Sequence, residues 1–154
     1  MNAEQVKDII SRGENHEIEF KESFHSTQTT SKIICALANT LGGILFFGVD
    51  DKGSIIGINE NPDKVQQKIA NSNQAVFPVP LISVELHEID QKKIIAIVIQ
   101  RAPDGTYYTF QGAIYVKIGS TIKRLEGQTQ LNFLKNRQIL SFDESYDSLM
   151  KIDD

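Results

Sequence analysis

The sequence predicts an α+β fold, in which helices flank a mostly antiparallel central sheet. Some segments carry apolar residues at helical spacing, others alternate in the manner of strands, and several strand-like runs are joined by short hairpin turns. The chain has 154 residues, which suits one compact domain. We expect this domain to cover residues 1–140 and an acidic C-terminal tail, or a domain boundary, to cover residues 141–154.

The first half of the chain predicts two helices and three strands. Both helices have apolar residues at helical spacing and end at glycine, the first at Gly13 and the second at the pair Gly42–Gly43. The segment EIEFK alternates strictly, whereas ILFFGV is apolar on both faces, as in a buried central strand. The turn DDKGS then leads into a partner strand. The predicted helices are residues 3–11 and 29–41, and the predicted strands are residues 17–21, 44–49 and 55–58.

The second half predicts two more helices and four strands. Pro62 follows Asn61, an arrangement typical of a helix start. Two apolar runs flank Asp90 and Gln91 and predict a hairpin. The last helix has Leu131, Leu134 and Ile139 as apolar anchors. The predicted helices are residues 62–71 and 126–140, and the predicted strands are residues 81–89, 93–100, 107–110 and 113–119.

The composition indicates a globular domain with an acidic balance. Hydrophobic residues make up 40% and charged residues 23%, which is sufficient for a real core. The net charge of −4 opposes strong, non-specific binding to phosphate backbones. A local exception is KIGSTIKR, residues 117–124, which carries three positive charges and no negative ones.

Several sequence features bear on location. No apolar run approaches the roughly 20 residues of a membrane helix, and the N-terminus lacks the apolar stretch of a signal peptide. The single cysteine, Cys35, cannot form an internal disulfide, and its apolar surroundings favour a buried, inert thiol over a nucleophile. We therefore expect a cytoplasmic protein without a membrane partner.

Common catalytic and cofactor motifs are absent from the sequence. It contains neither GxxxxGK[ST] nor GxGxxG, so nucleotide binding through these loops is not predicted. One cysteine and three scattered histidines do not form a zinc-ligand cluster, and His16, His25 and His87 are interpreted as surface residues. No local signature of a serine or cysteine triad is present.

A group of carboxylates is the main candidate for chemistry. Glu14 precedes the first strand, Glu19 lies on it, and Asp50 follows the buried strand, two residues after Gly48, which leaves open space beside it. If these strands are neighbours, the three carboxylates converge at one sheet edge and suit Mg²⁺ or Mn²⁺, which could activate water against a phosphodiester. Lys21 faces the same way as Glu19 and could stabilise developing negative charge.

Simpler alternatives apply to the same residues. The charged side of the first strand is equally the pattern of a solvated face, with Lys21 in a surface ion pair worth under about 1 kcal/mol. Asn39, in CALANTLGG, could reach a ligand, but helix termination against the sheet explains it as well.

Three segments together resemble the Schlafen AlbA-like domain family of the AlbA_2 type. They are ENHEIEFK, IICALANTLGGILFFGVDDKGSIIGI and GAIYVKIGST, and the resemblance spans roughly residues 12–125. It implies an α+β fold and a nucleic-acid-binding, or DNA-binding, domain of a bacterial transcriptional regulator or helicase-related protein. The partner would be DNA or structured RNA. In animal Schlafens two related lobes form a clamp on RNA, which suggests a possible homodimer for a single lobe.

The same resemblance implies specific site residues. Some animal Schlafens cleave RNA with three metal-binding carboxylates, which match Glu14, Glu19 and Asp50, so the alternative function is a metal-dependent endoribonuclease using Mg²⁺ or Mn²⁺. Lys117 stands where the family usually has arginine, which keeps a point charge but loses the bidentate fork. The expected catalytic residues are Glu14, Glu19, Asp50 and Lys21, and the expected phosphate contacts are Lys21, Arg101, Lys117, Lys123 and Arg124.

Overall fold

The computed structural model describes residues 1–137 and 139, so the predicted tail over 141–154 lies outside the described residues. The observed elements agree closely with those predicted for the first half of the chain. The helices are α1 (Ala3–Ser11), α2 (Thr27–Asn39), α3 (Pro62–Gln74) and α4 (Gly127–Asn136). The strands are β1 (Ile18–Lys21), β2 (Gly43–Phe47), β3 (Val76–Phe77), β4 (Ile82–Ile89), β5 (Lys92–Ile99), β6 (Thr109–Phe110), β7 (Tyr115–Ile118) and β8 (Thr121–Arg124).

The central sheet has the order β1-β2-β5-β4. Strands β1 and β2 are parallel because the crossover through α2 connects them, whereas β2 with β5 and β5 with β4 are antiparallel. The β4–β5 hairpin turns at Asp90 and Gln91, which both have positive φ, as a two-residue type I′ turn requires. Two small antiparallel pairs, β3 with β6 and β7 with β8, complete the α+β fold that the sequence predicted.

The sheet separates two apolar layers. Alternating side chains of the strands point to opposite faces, so Leu45 and Phe47 pack with α2 and α3 while Phe20 and Phe46 pack with α1. Helix α2 is buried over most of its surface because apolar residues surround its C-terminal half. Because Ile18 and Phe20 of β1 point toward α1, the polar side chains of β1 point to the opposite face of the sheet.

Some predicted elements differ from the structure. The segment 55–58 forms only a single bridge, between Val49 and Ile55, because the carbonyl of Gly48 instead accepts the N–H groups of Ile56 and Gly57. Strands β3 and β8 were not predicted. Leu131 is 47% exposed and is therefore not an anchor of α4. The longest helices in residues 1–137 have 13 residues, fewer than the roughly 20 that a bilayer span needs.

Candidate functional site

Glu19 lies in the interior of the molecule. Because Ile18 and Phe20 point toward α1, the side chain between them points toward α2 and β7. Glu19 is only 6% exposed, and its Oε2 accepts a hydrogen bond from Lys117 Nζ at 2.6 Å. The pair joins the central sheet to the separate β7–β8 pair.

The Lys117 ammonium is enclosed by protein acceptors. Its side chain has no exposed surface, and besides Glu19 it donates to the carbonyls of Asn15 at 3.0 Å and Ile18 at 3.3 Å. The three N–H groups of an ammonium are thus all used. Strand alternation turns this side chain inward, so the geometry gives no support to the prediction that Lys117 contacts phosphate, which stays a prediction. Its backbone N–H donates to Thr40 Oγ1 at 2.9 Å, which further fixes β7 against α2.

Glu14 adds a second carboxyl to this cluster. Burial, followed by a hydrogen bond and charge repulsion from Glu19, raises the pKa of Glu14 to about 7, although the Phe20 N–H and the Lys117 charge oppose the shift. Glu14, Glu19 and Lys117 together carry one negative charge in excess, which protonation of Glu14 removes. Lys21, with its Nζ 4.0 Å from Glu19 and 38% exposed, adds a positive charge that solvent screens.

This cluster predicts a specific pH dependence of stability. The pKa of Glu14 is raised above its ordinary value of 4.5 to about 7, so the folded state binds more protons than the unfolded state in that window. Stability from this group is thus greatest below pH 4.5, falls as the pH rises, and levels off above pH 7. Glu14→Gln stays neutral at every pH and should increase the free energy of unfolding at pH 8 by about 1 to 2 kcal/mol, after allowance for solvent screening.

Urea denaturation at pH 4.5 and pH 8 measures this difference. Glu14→Gln should match the wild type at the lower pH and exceed it at the higher one. The control Glu17→Gln changes an exposed carboxylate three residues away and should leave stability within about 0.5 kcal/mol at both values. Equal gains from both variants would contradict the assigned role of Glu14.

Asp50 lies away from this cluster. Glu19 pairs with Leu45 across the parallel strands, whereas Asp50 lies beyond the end of β2 at Phe47, in the turn that follows it. Its carboxylate accepts the N–H groups of Lys52 at 3.0 Å and Ser54 at 2.8 Å, closing the turn after β2. The predicted space beside Gly48 is filled, since a Cβ there would lie 3.2 Å from the carbonyl carbon of Gly57.

The predicted metal triad is therefore not assembled. Within residues 1–137 and 139, no three side chains of His, Cys, Asp or Glu are grouped closely enough to hold a metal ion. Glu14 and Glu19 both interact with the Lys117 ammonium. The Asp50 carboxylate accepts hydrogen bonds within its own turn. Lys21 does lie near Glu19, with 4.0 Å between Nζ and Oε1, and is 38% exposed. The catalytic roles of these residues stay predictions from the resemblance, and this geometry gives them no support.

Asn39 has a structural role. It is 1% exposed, its amide nitrogen donates to the carbonyls of Tyr108 and Tyr115, both at 2.9 Å, and its Oδ1 accepts the Tyr108 N–H at 2.8 Å. These bonds attach α2 to β7 and to the chain entering β6. Ligand contact was one open interpretation of Asn39, but its hydrogen-bonding groups are satisfied within the protein.

Two arginines stabilise the C-terminal end of α2. Arg101 Nε donates to the Thr40 carbonyl at 3.1 Å, and Arg137 donates to the carbonyls of Asn39, Thr40 and Ala102. The Asn39 and Thr40 carbonyls are at the C-terminal end of α2, where they lack helical partners and carry the negative end of the helix dipole, whereas Ala102 lies in the chain after β5. Burial lowers the pKa of Arg137, which is 6% exposed. Arg137 was not among the predicted site residues, since nothing in its sequence neighbours indicates burial.

The remaining predicted phosphate contacts are on the surface. Lys123 and Arg124 are exposed on β8, and Arg124 makes only a loose ion pair, with 3.7 Å between Nε and Glu126 Oε1. Arg101 is also exposed, but its Nε is committed to Thr40. Lys32, which the sequence analysis did not select, lies 5.6 Å from the ring centroid of Tyr115 on β7.

Cys35, His16 and His25 lie in the settings expected for them, but His87 does not. Cys35 is fully buried, and burial raises the pKa of its thiol to about 11, which agrees with an inert side chain. His16 and His25 are exposed, whereas His87 is partly buried and lies 2.8 Å from Glu85 Oε1.

Solved structures share this fold at low sequence identity. The chain superposes on the DIP2311 protein of Corynebacterium diphtheriae with a TM-score of 0.61 and 18% identity, over 92% of this chain and 32% of that one. It thus spans about a third of that protein. It also superposes on the N-terminal domain of an ATP-dependent DNA helicase RecG-related protein from Nitrosomonas europaea, with a TM-score of 0.57 and 24% identity, over 83% of this chain and 95% of that one.

The family comparison covers most of the chain. No curated protein gives a significant match. The family model for Schlafen, AlbA_2 matches residues 14–126, which include the central sheet, the Glu14–Glu19–Lys117 cluster and the β7–β8 pair. On this match, the chain belongs to the Schlafen AlbA_2 family.

Proposed function

We propose that this chain is a nucleic-acid-binding domain, and more specifically the DNA-binding part of a cytoplasmic bacterial transcriptional regulator or helicase-related protein. The family match over residues 14–126 carries the proposal. The name of one structural neighbour, a DNA helicase RecG-related protein, supports a role on nucleic acid. The carboxylates that a metal-dependent nuclease would use are not grouped, so binding is the function that this geometry favours.

The charge distribution supports an interface on β8. Lys123 and Arg124 are adjacent on β8 and exposed, and within the described part of the chain no short ion pair holds either of them. Phosphate contacts require mobile, hydrated cations that can exchange water and counterions for phosphate oxygens. The buried Lys117 does not meet this requirement, and the net charge of −4 limits the number of contacts. The complex should therefore be of modest affinity and strongly salt-dependent.

Fluorescence anisotropy with labelled duplex DNA, single-stranded DNA and structured RNA tests the proposal. The wild type should bind at 50 mM salt and weaken at higher salt, with a log–log slope of about −0.9 per phosphate contact on duplex DNA. Lys123→Gln with Arg124→Gln should reduce the magnitude of that slope by about 1 to 2.

A matched double variant is available near the central sheet, away from the β7–β8 pair. Lys52 and Lys93 are both exposed, and lie near the C-terminal end of β2 and the N-terminal end of β5. Lys52→Gln with Lys93→Gln changes the net charge by the same amount and should leave the slope almost unchanged. Equal effects of both pairs would reject the β8 interface, and no binding to any of the nucleic acids would reject the function. Pairing of two copies stays a prediction that light scattering can test.

A further inference from the structure

An aromatic ring lies between two basic side chains where α2 meets the β7–β8 pair. Tyr115 is the cross-strand partner of Arg124, so their side chains share one face with Cβ atoms about 5 Å apart. From α2, Lys32 places its Nζ 5.6 Å from the Tyr115 ring centroid. Phe110 supports the ring from inside, with 6.5 Å between the two ring centroids. The ring is partly exposed.

Neither cation is held strongly in this arrangement. Among the described residues, no carboxylate forms an ion pair with Lys32, whose recorded contact is with the Tyr115 ring. Such a contact is worth about 0.5 to 1 kcal/mol at an exposed site. Arg124 is 60% exposed, and its ion pair with Glu126 belongs to a class worth less than about 1 kcal/mol. Both cations can therefore move to a phosphate.

The Tyr115 ring should interact more strongly with a stacked nucleic-acid base than with the Lys32 ammonium. Stacking of a base on an aromatic side chain is worth about 1 to 3 kcal/mol, which exceeds the contact that Lys32 would give up. The displaced ammonium would remain beside the ring, where the phosphate of the stacked nucleotide lies. A duplex hides the faces of its bases, whereas a single strand exposes them.

We propose that Lys32, Tyr115 and Arg124 form a binding site for one nucleotide of a single strand, with the base on the Tyr115 ring and the flanking phosphates on Lys32 and Arg124. This inference rests on the proposed function and makes it specific, because it selects unpaired nucleic acid as the ligand. It also places the contact on residues of three elements, α2, β7 and β8, rather than on the basic segment 117–124 alone.

Binding of a labelled oligothymidylate, compared with a duplex of equal length, tests this site. Tyr115→Leu should weaken binding to the single strand by about 5- to 100-fold, and Tyr115→Phe, which keeps the ring, should stay within about twofold of the wild type. Lys32→Gln and Arg124→Gln should each weaken binding, whereas Lys93→Gln should not. Thermal melting of every variant shows whether it is folded at the assay temperature, and the two cation variants keep the test decisive if Tyr115→Leu is unstable.

The outcomes separate this site from the general function. Loss of single-strand binding in Tyr115→Leu with retention in Tyr115→Phe supports the site. Wild-type binding that is confined to duplex, or that survives Tyr115→Leu, Lys32→Gln and Arg124→Gln unchanged, overturns the site and leaves the nucleic-acid-binding function intact. A wild type that binds neither probe nor structured RNA overturns both.

Discussion

Gly43→Ala is expected to lower the free energy of unfolding by about 4 kcal/mol or more, at the exceptional end of single substitutions. A Cβ at this position would lie 2.0 Å from the Glu17 carbonyl oxygen, and the residue has φ +151°. The oxygen cannot easily withdraw, because it accepts the Ile44 N–H at 2.8 Å. That bond begins the parallel pairing of β1 with β2, so relief of the clash would disturb the centre of the sheet.

Urea denaturation of Gly43→Ala, compared with that of Gly112→Ala, separates the effect of the clash with Glu17 from the effect of positive φ. Gly112 also has positive φ, at +78°, but an added Cβ would meet nothing within 4 Å. Gly112→Ala should lower the free energy of unfolding only by the cost of holding alanine at positive φ, about 1 to 2 kcal/mol. A loss at Gly43 no larger than the loss at Gly112 would show that the strand contact does not restrict this position.

The elements with strong local signals were predictable from the sequence. Helix α1 and strand β1 were placed within a residue of their observed bounds, and the β4–β5 hairpin was correctly centred on Asp90 and Gln91. The short strands β3 and β8 were missed, since two to four residues do not establish a period. The second glycine of the Gly42–Gly43 pair was interpreted as part of a helix end, and its tight packing against Glu17 became visible only when β1 and β2 were paired.

The candidate site was less predictable because it depends on register and burial. Adjacent strands were expected to bring Glu19 and Asp50 together, but the register sets Glu19 opposite Leu45, which separates the two carboxylates along the sheet. Lys117 was assigned to the surface with its basic neighbours, in line with the rarity of fully buried lysines. Only the pairing of β7 with β8 and its contact with α2 turn this side chain toward Glu19.

Lys117→Met should lower the free energy of unfolding by about 3 to 5 kcal/mol at pH 8, because it leaves Glu19 buried without a counter-charge. The loss is larger than that expected for an exposed pair. Lys21→Met removes the other lysine near Glu19, at 4.0 Å and 38% exposed, and should cost under about 1 kcal/mol.

A double variant distinguishes loss of the pair from loss of one charge. Glu19→Met with Lys117→Met replaces both ions by apolar chains of similar volume and should recover most of the stability lost by Lys117→Met. Recovery is expected to be incomplete, because the Asn15 and Ile18 carbonyls lose a donor. If the double variant is no more stable than Lys117→Met, the ammonium contributes mainly through those carbonyls. If Lys21→Met costs as much as Lys117→Met, the Glu19–Lys117 pair is not the buried link between the central sheet and the β7–β8 pair.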